Sequence, residues 1–92
     1  MALLTDQEIS QKLGNLPHWQ HCDGTIVRQF EFENFPTAIR FVDQVAVEAE
    51  KAFHHPDIDI RWNKVRLALT THDEGGLTAK DFDLATRFNQ LT

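Results

Sequence analysis

Apolar side chains recur every three or four positions in three segments of this 92-residue chain. This is the spacing of helices that bury one face. The longest segment runs from about Asn34 to about Phe53 and stops before Pro56, because the residue that precedes a proline disfavours the α conformation. Shorter segments begin at Thr5 and at Thr78. The pattern predicts a long central helix with a shorter helix on either side of it.

The starts of the two shorter helices carry additional signals. Glu8 follows Thr5 by three residues, which is the pattern of a capping box, and Gly14 ends that helix. Asp81 stands at the third position after Thr78, where a carboxylate also interacts favourably with the helix dipole. We therefore expect both helices to begin at their threonines.

A first hairpin is predicted before the central helix. Two extended runs, residues 19–22 and 25–33, flank Asp23 and Gly24. This pair favours the type I′ turn of a hairpin, because both turn positions need positive φ.

A second hairpin is predicted after the central helix. Ile58, Ile60 and Trp62 alternate with charged residues, and a turn at Asn63 leads into a second alternating run, residues 65–70. Alternation of this kind places one side of each strand against a core. We interpret Trp62 as a core aromatic residue.

The predicted order is helix, hairpin, helix, hairpin, helix. Two hairpins supply four strands of one antiparallel sheet, and three helices can cover one of its faces. The expected fold is therefore a two-layer α+β domain, with a four-stranded antiparallel sheet and three helices packed on one face. A chain of this length is expected to form one domain over residues 1–92.

Composition and charge exclude several classes of function. Nine Lys and Arg are scattered among fourteen Asp and Glu, giving a net charge of −5, so we expect no binding of nucleic acid. No apolar run is long enough for a membrane span. The single cysteine, Cys22, cannot form an internal disulfide, and the start of the chain lacks the basic and apolar segments of a signal peptide. We expect a cytoplasmic protein.

Three of the five histidines fall at predicted junctions. His54 and His55 lie between the central helix and the third strand, and His72 is expected to close the fourth strand. Antiparallel pairing places the start of the third strand beside the end of the fourth, so the three imidazoles can converge. Imidazole titrates near neutral pH and can both donate and accept protons, which suits general acid–base catalysis.

A metal site is the main alternative for the histidine cluster, because neutral imidazole is a common metal ligand. Neighbouring residues on an extended backbone point to opposite sides, so His54 and His55 would rarely bind one ion together. Each histidine taken alone is also compatible with a structural or surface position. We expect no metal.

Four segments carry a specific combination of residues. They are Glu50-Lys51-Ala52-Phe53-His54-His55-Pro56, Trp62-Asn63-Lys64-Val65, Leu69-Thr70-Thr71-His72, and Gly76-Leu77-Thr78 with Asp81. Together they resemble the signature of the pterin-4a-carbinolamine dehydratase family, and the resemblance covers nearly the whole chain.

The resemblance implies both a fold and a reaction. The fold is the sheet with three helices on one face that the pattern already predicts. The reaction is dehydration of 4a-hydroxytetrahydropterin to quinonoid dihydropterin, which recycles the cofactor of aromatic amino acid hydroxylases. The resemblance further implies that no metal or organic cofactor is needed, and that the chain forms a homodimer or homotetramer.

Site residues follow from the resemblance by position. His54 and His72 are implied to be the acid–base pair, and His55 the imidazole that positions the substrate. The residues implied to contact the pterin or to line its pocket are Glu50, Pro56, Thr71, Asp73, Asp81 and Trp19. Asp81 fits a helix cap equally well. In one departure, animal enzymes carry an acidic residue immediately before the two histidines, where this chain has Phe53.

Two other functions are compatible with the same fold. One is non-catalytic binding, since the family includes proteins that stabilise a transcription-factor dimer and related domains that assist assembly of a larger enzyme. The other is a dehydratase that acts on a molybdopterin-related pterin. Retention of all three histidines favours the enzyme.

Overall fold

The computed structural model describes residues 3–92, which form three α-helices and four β-strands. The helices are α1 (Asp6–Gly14), α2 (Phe35–Ala52) and α3 (Ala79–Asn89). The strands are β1 (Gln20–Cys22), β2 (Thr25–Glu31), β3 (Asp57–Arg61) and β4 (Lys64–Leu69). A short 3₁₀ turn, His72–Glu74, lies between β4 and α3. The predicted order of helices and hairpins is confirmed.

All four strands form one antiparallel sheet in the order β1-β2-β4-β3. Both predicted hairpins are present, and β2 pairs with β4 to join them. In this register Ile26 lies opposite Leu69, so the inward-facing positions of the two central strands coincide. The outer strands β1 and β3 each leave one edge unpaired within residues 3–92.

The helices cover one face of the sheet, as predicted. Inward-facing residues of the central strands, including Ile26, Phe30 and Leu67, are buried together with residues from all three helices. On the opposite face Gln29 and Arg66 are exposed. The structure is therefore the expected two-layer α+β fold, with its core between the sheet and the helices.

Both predicted helix starts are capping boxes. The Thr5 side chain accepts the Glu8 N–H at 3.1 Å, while the Glu8 carboxylate accepts the Thr5 N–H at 2.8 Å. The same reciprocal pair joins Thr78 and Asp81 at the start of α3. The hydrogen bonds to Thr5 lower the pKa of the Glu8 carboxyl, because they stabilise its charged form.

The interpretation of Trp62 as a core residue is wrong. Its side chain is 69% exposed, and its backbone is in the left-handed region, with φ 51°, in the turn between β3 and β4. Ile58 and Ile60, on the same face of the edge strand β3, are also partly exposed. Alternation identifies side chains that share a face, but not how far the helices extend over that face.

The position of His72 also differs from the prediction. β4 ends at Leu69, and His72 begins the 3₁₀ turn instead of closing the strand. The chain turns there because the Thr71 carbonyl accepts the N–H groups of Glu74 and Gly75, at 3.0 and 3.1 Å. β2 likewise ends at Glu31, two residues before the predicted limit.

Among the residues that the structure describes, no helix combines the length and the apolar character needed to cross a membrane.

Candidate active site

One wall of the candidate site is a fixed corner at the end of α2. Phe53 follows the helix in the left-handed conformation, with φ 50°. Its N–H donates to the Glu50 carbonyl at 3.2 Å, and the His54 N–H donates to the Ala49 carbonyl at 3.1 Å. This is the pair of bonds of a Schellman motif, formed here without glycine. With Pro56 preventing any further helix, the two histidines leave α2 at a defined angle.

The facing wall is the 3₁₀ turn that follows β4. Gly75 ends this turn with φ 79°, a conformation that glycine adopts at little cost. The Thr71 N–H donates to the Gly76 carbonyl at 3.0 Å, which closes the loop on itself. His72 is the first residue of the turn and is exposed.

The two walls enclose a cavity of about 210 Å³ that contains all three predicted imidazoles. Its lining residues are Phe53, His54, His55, Thr70, Thr71, His72, Asp73 and Lys80. Two larger concavities, of about 340 and 410 Å³, lie around Gln29 and Arg66 on the exposed face of the sheet. Neither is lined by more than one imidazole, so the smaller cavity is the candidate active site.

His54 is paired with a buried carboxylate. Its Nε2 lies 2.5 Å from Oδ1 of Asp81, and the two side chains are 11% and 0% exposed. The two residues are 27 positions apart, so the pair exists only because α3 packs beside the end of α2.

The second carboxylate oxygen of Asp81 also accepts hydrogen bonds. Oδ2 accepts the Thr71 hydroxyl at 2.8 Å and the Thr78 N–H at 2.9 Å. Three donors therefore converge on one carboxylate, and a carboxylate with this set of partners acts as an acceptor only. Asp81 is at once the cap of α3 and the partner of His54.

His55 makes the same contact in a different environment. Its Nε2 also lies 2.5 Å from a carboxylate oxygen, Oε2 of Glu50, but the two side chains are 66% and 75% exposed. Glu50 lies on the last turn of α2, one helical turn from the corner. The pair is a surface contact at the rim of the cavity.

Of the remaining predicted site residues, some line the cavity and others do not. Thr71 and Asp73 line the cavity, although the Thr71 hydroxyl is directed to Asp81. Pro56 is half-buried beside the histidines and is not among the lining residues. The structure does not bring Trp19 to this cavity.

Trp19 belongs to a different cluster, at the far end of the helix layer. Its Nε1 donates to Oδ1 of Asn89 at 2.7 Å, and the same oxygen accepts Nη1 of Arg28 at 2.6 Å. The Arg28 guanidinium lies 4.0 Å from the centre of the Phe30 ring, and burial lowers its pKa. This cluster ties the first hairpin to the end of α3.

Several lining residues were not predicted from the sequence. Phe53, Thr70 and Lys80 border the cavity, and Thr78 supports it from behind. Phe53 stands next to His54 in the chain, so adjacency alone could have indicated it. Lys80 lies in the first turn of α3, and only the packing of that helix brings it to the cavity.

Across residues 3–92, no three His, Cys, Asp or Glu side chains are grouped so that they could hold a metal ion.

A protein-family model described as "Pterin 4 alpha carbinolamine dehydratase" matches residues 2–91 of the chain. A Roseiflexus protein (strain RS-1) is 56% identical over 88 residues, which cover 96% of this chain and 95% of that protein. A Chloroflexus aurantiacus protein (strain J-10-fl) is 55% identical over 91 residues, which cover 99% and 98%. Both bear the name "Putative pterin-4-alpha-carbinolamine dehydratase".

Two solved structures are also similar. A Brucella melitensis protein, described as a transcriptional coactivator/pterin dehydratase, superposes with a TM-score of 0.92 at 39% identity and covers 96% of each chain. A pterin dehydratase-like protein, described as a RuBisCO assembly factor in the alpha-carboxysome, has a TM-score of 0.67 at 22% identity, covering 79% of this chain and 84% of that one. The second similarity shows a shared fold alone.

Proposed function

The chain belongs to the pterin 4 alpha carbinolamine dehydratase family, and on that premise we propose that it is a hydro-lyase that converts 4a-hydroxytetrahydropterin to quinonoid dihydropterin and water. The observation that carries the proposal is the convergence of His54, His55 and His72 on one cavity. Dehydration of this substrate requires a proton to be added at one atom and removed at another, and a group of imidazoles can do both near neutral pH.

His54 is the base. Because its Nε2 donates to Asp81, the neutral imidazole keeps Nδ1 as a free acceptor. Nδ1 takes the proton from N5 of the pterin, and the electron pair of that N–H bond forms the new N5–C4a double bond. A buried carboxylate behind the ring stabilises the imidazolium that results.

His72 is the acid. Within residues 3–92 its ring makes no hydrogen bond to another side chain, and it is open to solvent, so it can be reprotonated from water after each turnover. Its imidazolium form gives a proton to the 4a-hydroxyl as the C4a–O bond breaks, and water leaves. When His54 releases its proton to solvent and His72 takes one up, the enzyme returns to its starting state, and no redox cofactor takes part.

Asp73 and His55 bind and orient the pterin. The pyrimidine half of a pterin presents an amino group and a ring N–H on one edge, and a carboxylate can accept both. Asp73 lines the cavity and supplies such a carboxylate. His55, held by Glu50 at the rim, supplies a second polar contact, and Phe53 provides an apolar side wall.

Because the family match extends over residues 2–91, we assign the reaction to one domain. The substrate arises when a hydroxylase oxidises tetrahydropterin, so we propose a functional link to an aromatic amino acid hydroxylase. A cytoplasmic location suits the exposed Cys22, which remains a thiol in a reducing compartment.

The proposed function is tested by stopped-flow absorbance of synthetic 4a-hydroxytetrahydropterin as it loses water. We expect the wild-type protein to accelerate the reaction, and His54→Ala and His72→Ala each to lower kcat by about 100-fold or more, the usual contribution of a general acid or base. His18→Asn is the control, because His18 is exposed, lies outside the cavity and has a positive φ that asparagine tolerates. A folded wild-type protein that does not accelerate the reaction contradicts the proposal.

A second candidate function is non-catalytic binding to another protein. The similar Brucella structure is described as a transcriptional coactivator as well as a pterin dehydratase, and α2 exposes Phe35 and Val47 to solvent. If Val47→Glu abolishes capture of a partner and leaves dehydration unchanged, the two functions use separate surfaces.

We also propose that the chain forms a homo-oligomer through the free edge of β3. A two-fold axis at Ile60 would pair the strand with itself, placing Ile60 against Ile60 and Asp59 against Arg61, and bringing Ile58 of each strand near the turn that carries Trp62 in the other. Apolar residues would then meet on one face and opposite charges on the other, and cross-strand pairs of both kinds are favourable. This pairing would bury Trp62 and close an edge that otherwise promotes aggregation.

The oligomer is tested by sedimentation velocity of wild type, Ile60→Lys and Gln29→Lys. Ile60→Lys places a charge on the proposed two-fold axis and is expected to give a monomer. Gln29→Lys changes the charge on β2, which β4 separates from the β3 edge, and is expected to leave the oligomer intact. A wild-type monomer at micromolar concentration contradicts the pairing.

A further inference from the structure

Thr71 is the residue at which the two walls of the candidate site are joined. Its carbonyl accepts the N–H groups of Glu74, Gly75 and Gly76, at 3.0, 3.1 and 3.3 Å, and so shapes the turn that carries His72. Its hydroxyl donates to Oδ2 of Asp81 at 2.8 Å. The same residue therefore contacts the turn through its backbone and the carboxylate behind the opposite wall through its side chain.

The directions of these hydrogen bonds follow from the number of protons available. The Thr71 hydroxyl has one proton, which goes to Asp81, because an ionised carboxylate can only accept. The Thr78 hydroxyl, 2.9 Å from the Thr71 hydroxyl, must then donate to it. The chain of donors runs from Thr78 through Thr71 to Asp81, and all three side chains are buried.

This chain of hydrogen bonds fixes the orientation of the Asp81 carboxylate. Oδ2 is held by two donors, and the group cannot rotate about its terminal bond without losing both. Oδ1 is consequently aimed at Nε2 of His54. If the Thr71 donor is removed, Oδ2 keeps only the Thr78 N–H, and the carboxylate can turn more freely. The hydrogen bond that holds the proton on Nε2 of His54 then weakens, and the other tautomer, in which Nδ1 carries the proton and cannot act as a base, becomes populated.

We propose that Thr71 is a positioning residue that acts through Asp81, keeps His54 in the tautomer that accepts a proton, and holds it in register with His72. This inference rests on the proposed dehydratase function. It does not involve contact between the Thr71 hydroxyl and the substrate, because that hydroxyl is already committed to Asp81 and Thr78.

The test compares Thr71→Val, which removes the hydroxyl at nearly constant shape, with Thr71→Ser, which retains it. Thr71→Val is expected to lower kcat by roughly 10- to 100-fold, the usual cost of losing a residue that orients a functional side chain. KM should change by less than about twofold, because the lost interaction does not touch the substrate. Thr71→Ser is expected to restore most of kcat. Thr71→Ala is the substitute if the valine variant does not fold.

A second readout does not depend on activity. In ¹⁵N-labelled protein without ligand, the ring nitrogens of His54 are expected to show one dominant Nε2–H tautomer in the wild type and in Thr71→Ser. Thr71→Val is expected to show a mixture. A role limited to packing would leave this signature unchanged.

Thr86→Val is the matched control. The Thr86 hydroxyl donates to the Phe82 carbonyl at 2.8 Å on α3, so this variant also loses a threonine hydrogen bond but stands outside the site. It is expected to keep wild-type kcat and the wild-type His54 signals.

The outcomes separate the inference from the function on which it rests. An active wild type with unchanged kcat and unchanged His54 signals in Thr71→Val overturns the inference alone, as does a folded Thr71→Ser that is no more active than Thr71→Val. A wild type without dehydratase activity contradicts the proposed function. In that case a change in the His54 signals of Thr71→Val still supports the positioning of the imidazole, and unchanged signals overturn it.

Discussion

The two histidines that follow α2 each pair with a carboxylate, and the two pairs have the same length in different surroundings. His54 and Asp81 lie 2.5 Å apart and are almost completely buried. His55 and Glu50 are also 2.5 Å apart, but both side chains are mostly exposed. The Asp81 carboxylate accepts two further hydrogen bonds, from Thr71 and Thr78, whereas within residues 3–92 the Glu50 carboxylate has no partner besides His55.

This difference shows that burial and supporting hydrogen-bond donors, and not distance, determine how much a short contact contributes to stability. An exposed pair is screened by water and salt and adds about 0–1 kcal/mol to stability. At the buried pair three donors depend on the Asp81 carboxylate, and a buried donor left without an acceptor costs about 1–3 kcal/mol. Substitutions at the two carboxylates should therefore have very different effects.

The largest expected effect is that of Asp81→Asn. The amide has one acceptor oxygen where the carboxylate had two, and its NH₂ group would face a donor from Thr71, Thr78 or His54. We expect the free energy of unfolding, measured in urea, to fall by about 1–3 kcal/mol, and kcat to fall by about 100-fold or more. Asp83→Asn, an exposed change on the same helix, is the control. A loss of less than about 1 kcal/mol would show that the buried pair behaves like an exposed one.

An intermediate effect is expected at the corner that separates the two pairs. Phe53 is 88% exposed and has a left-handed backbone, which costs an L-residue roughly 1–2 kcal/mol. Phe53→Gly removes that cost but adds freedom to the unfolded chain, so we expect a net gain in unfolding free energy of about 0.5–1 kcal/mol. Activity should fall by roughly a few-fold, because the corner becomes more flexible and the apolar wall formed by the Phe53 ring is lost.

Phe53→Ala separates these two contributions. It removes the ring but keeps the β-carbon, so it should lower activity without the gain in stability. If Phe53→Gly is less stable than the wild type, the ring contributes more to the fold than its exposure indicates.

The smallest effect is expected for Glu50→Gln. Stability should change by no more than about 0.5 kcal/mol and kcat by no more than about threefold, because water can replace the lost charge. Raising the salt concentration from about 0.05 M to about 1 M should remove most of the remaining difference from wild type. A loss comparable to that of Asp81→Asn would instead indicate that the rim is buried in the working enzyme, for example by a second subunit.

Elements of the fold that depend on neighbouring residues could be predicted from the sequence. The capping box of Thr5 and Glu8 and the turn at Asp23 and Gly24 each involve residues at most three positions apart, and both hairpins are confirmed. Trp62 shows where such reasoning stops. Its alternation with charged residues is real, but its exposure depends on how far helices from other parts of the chain extend over the edge strand.

The candidate site could be predicted from the sequence to a similar extent. His54, His55 and His72 could be brought together from the predicted pairing of β3 and β4, and they do line one cavity. The sequence offered two interpretations of Asp81, as a helix cap and as a pocket residue. The structure shows that one oxygen caps α3 and the other meets His54, so the two are not exclusive. That pairing spans 27 residues and has no local signature.

The shared use of Asp81 also has a consequence for how this enzyme can change over time. A residue that only caps a helix can drift among several polar types, and a residue that only tunes a catalytic group can be adjusted without harm to the fold. Asp81 caps α3 and contacts His54, so a substitution that changes the contact with His54 also weakens the start of α3. We therefore expect low mutational robustness at Asp81, and expect adaptation to a new substrate to proceed through the exposed rim.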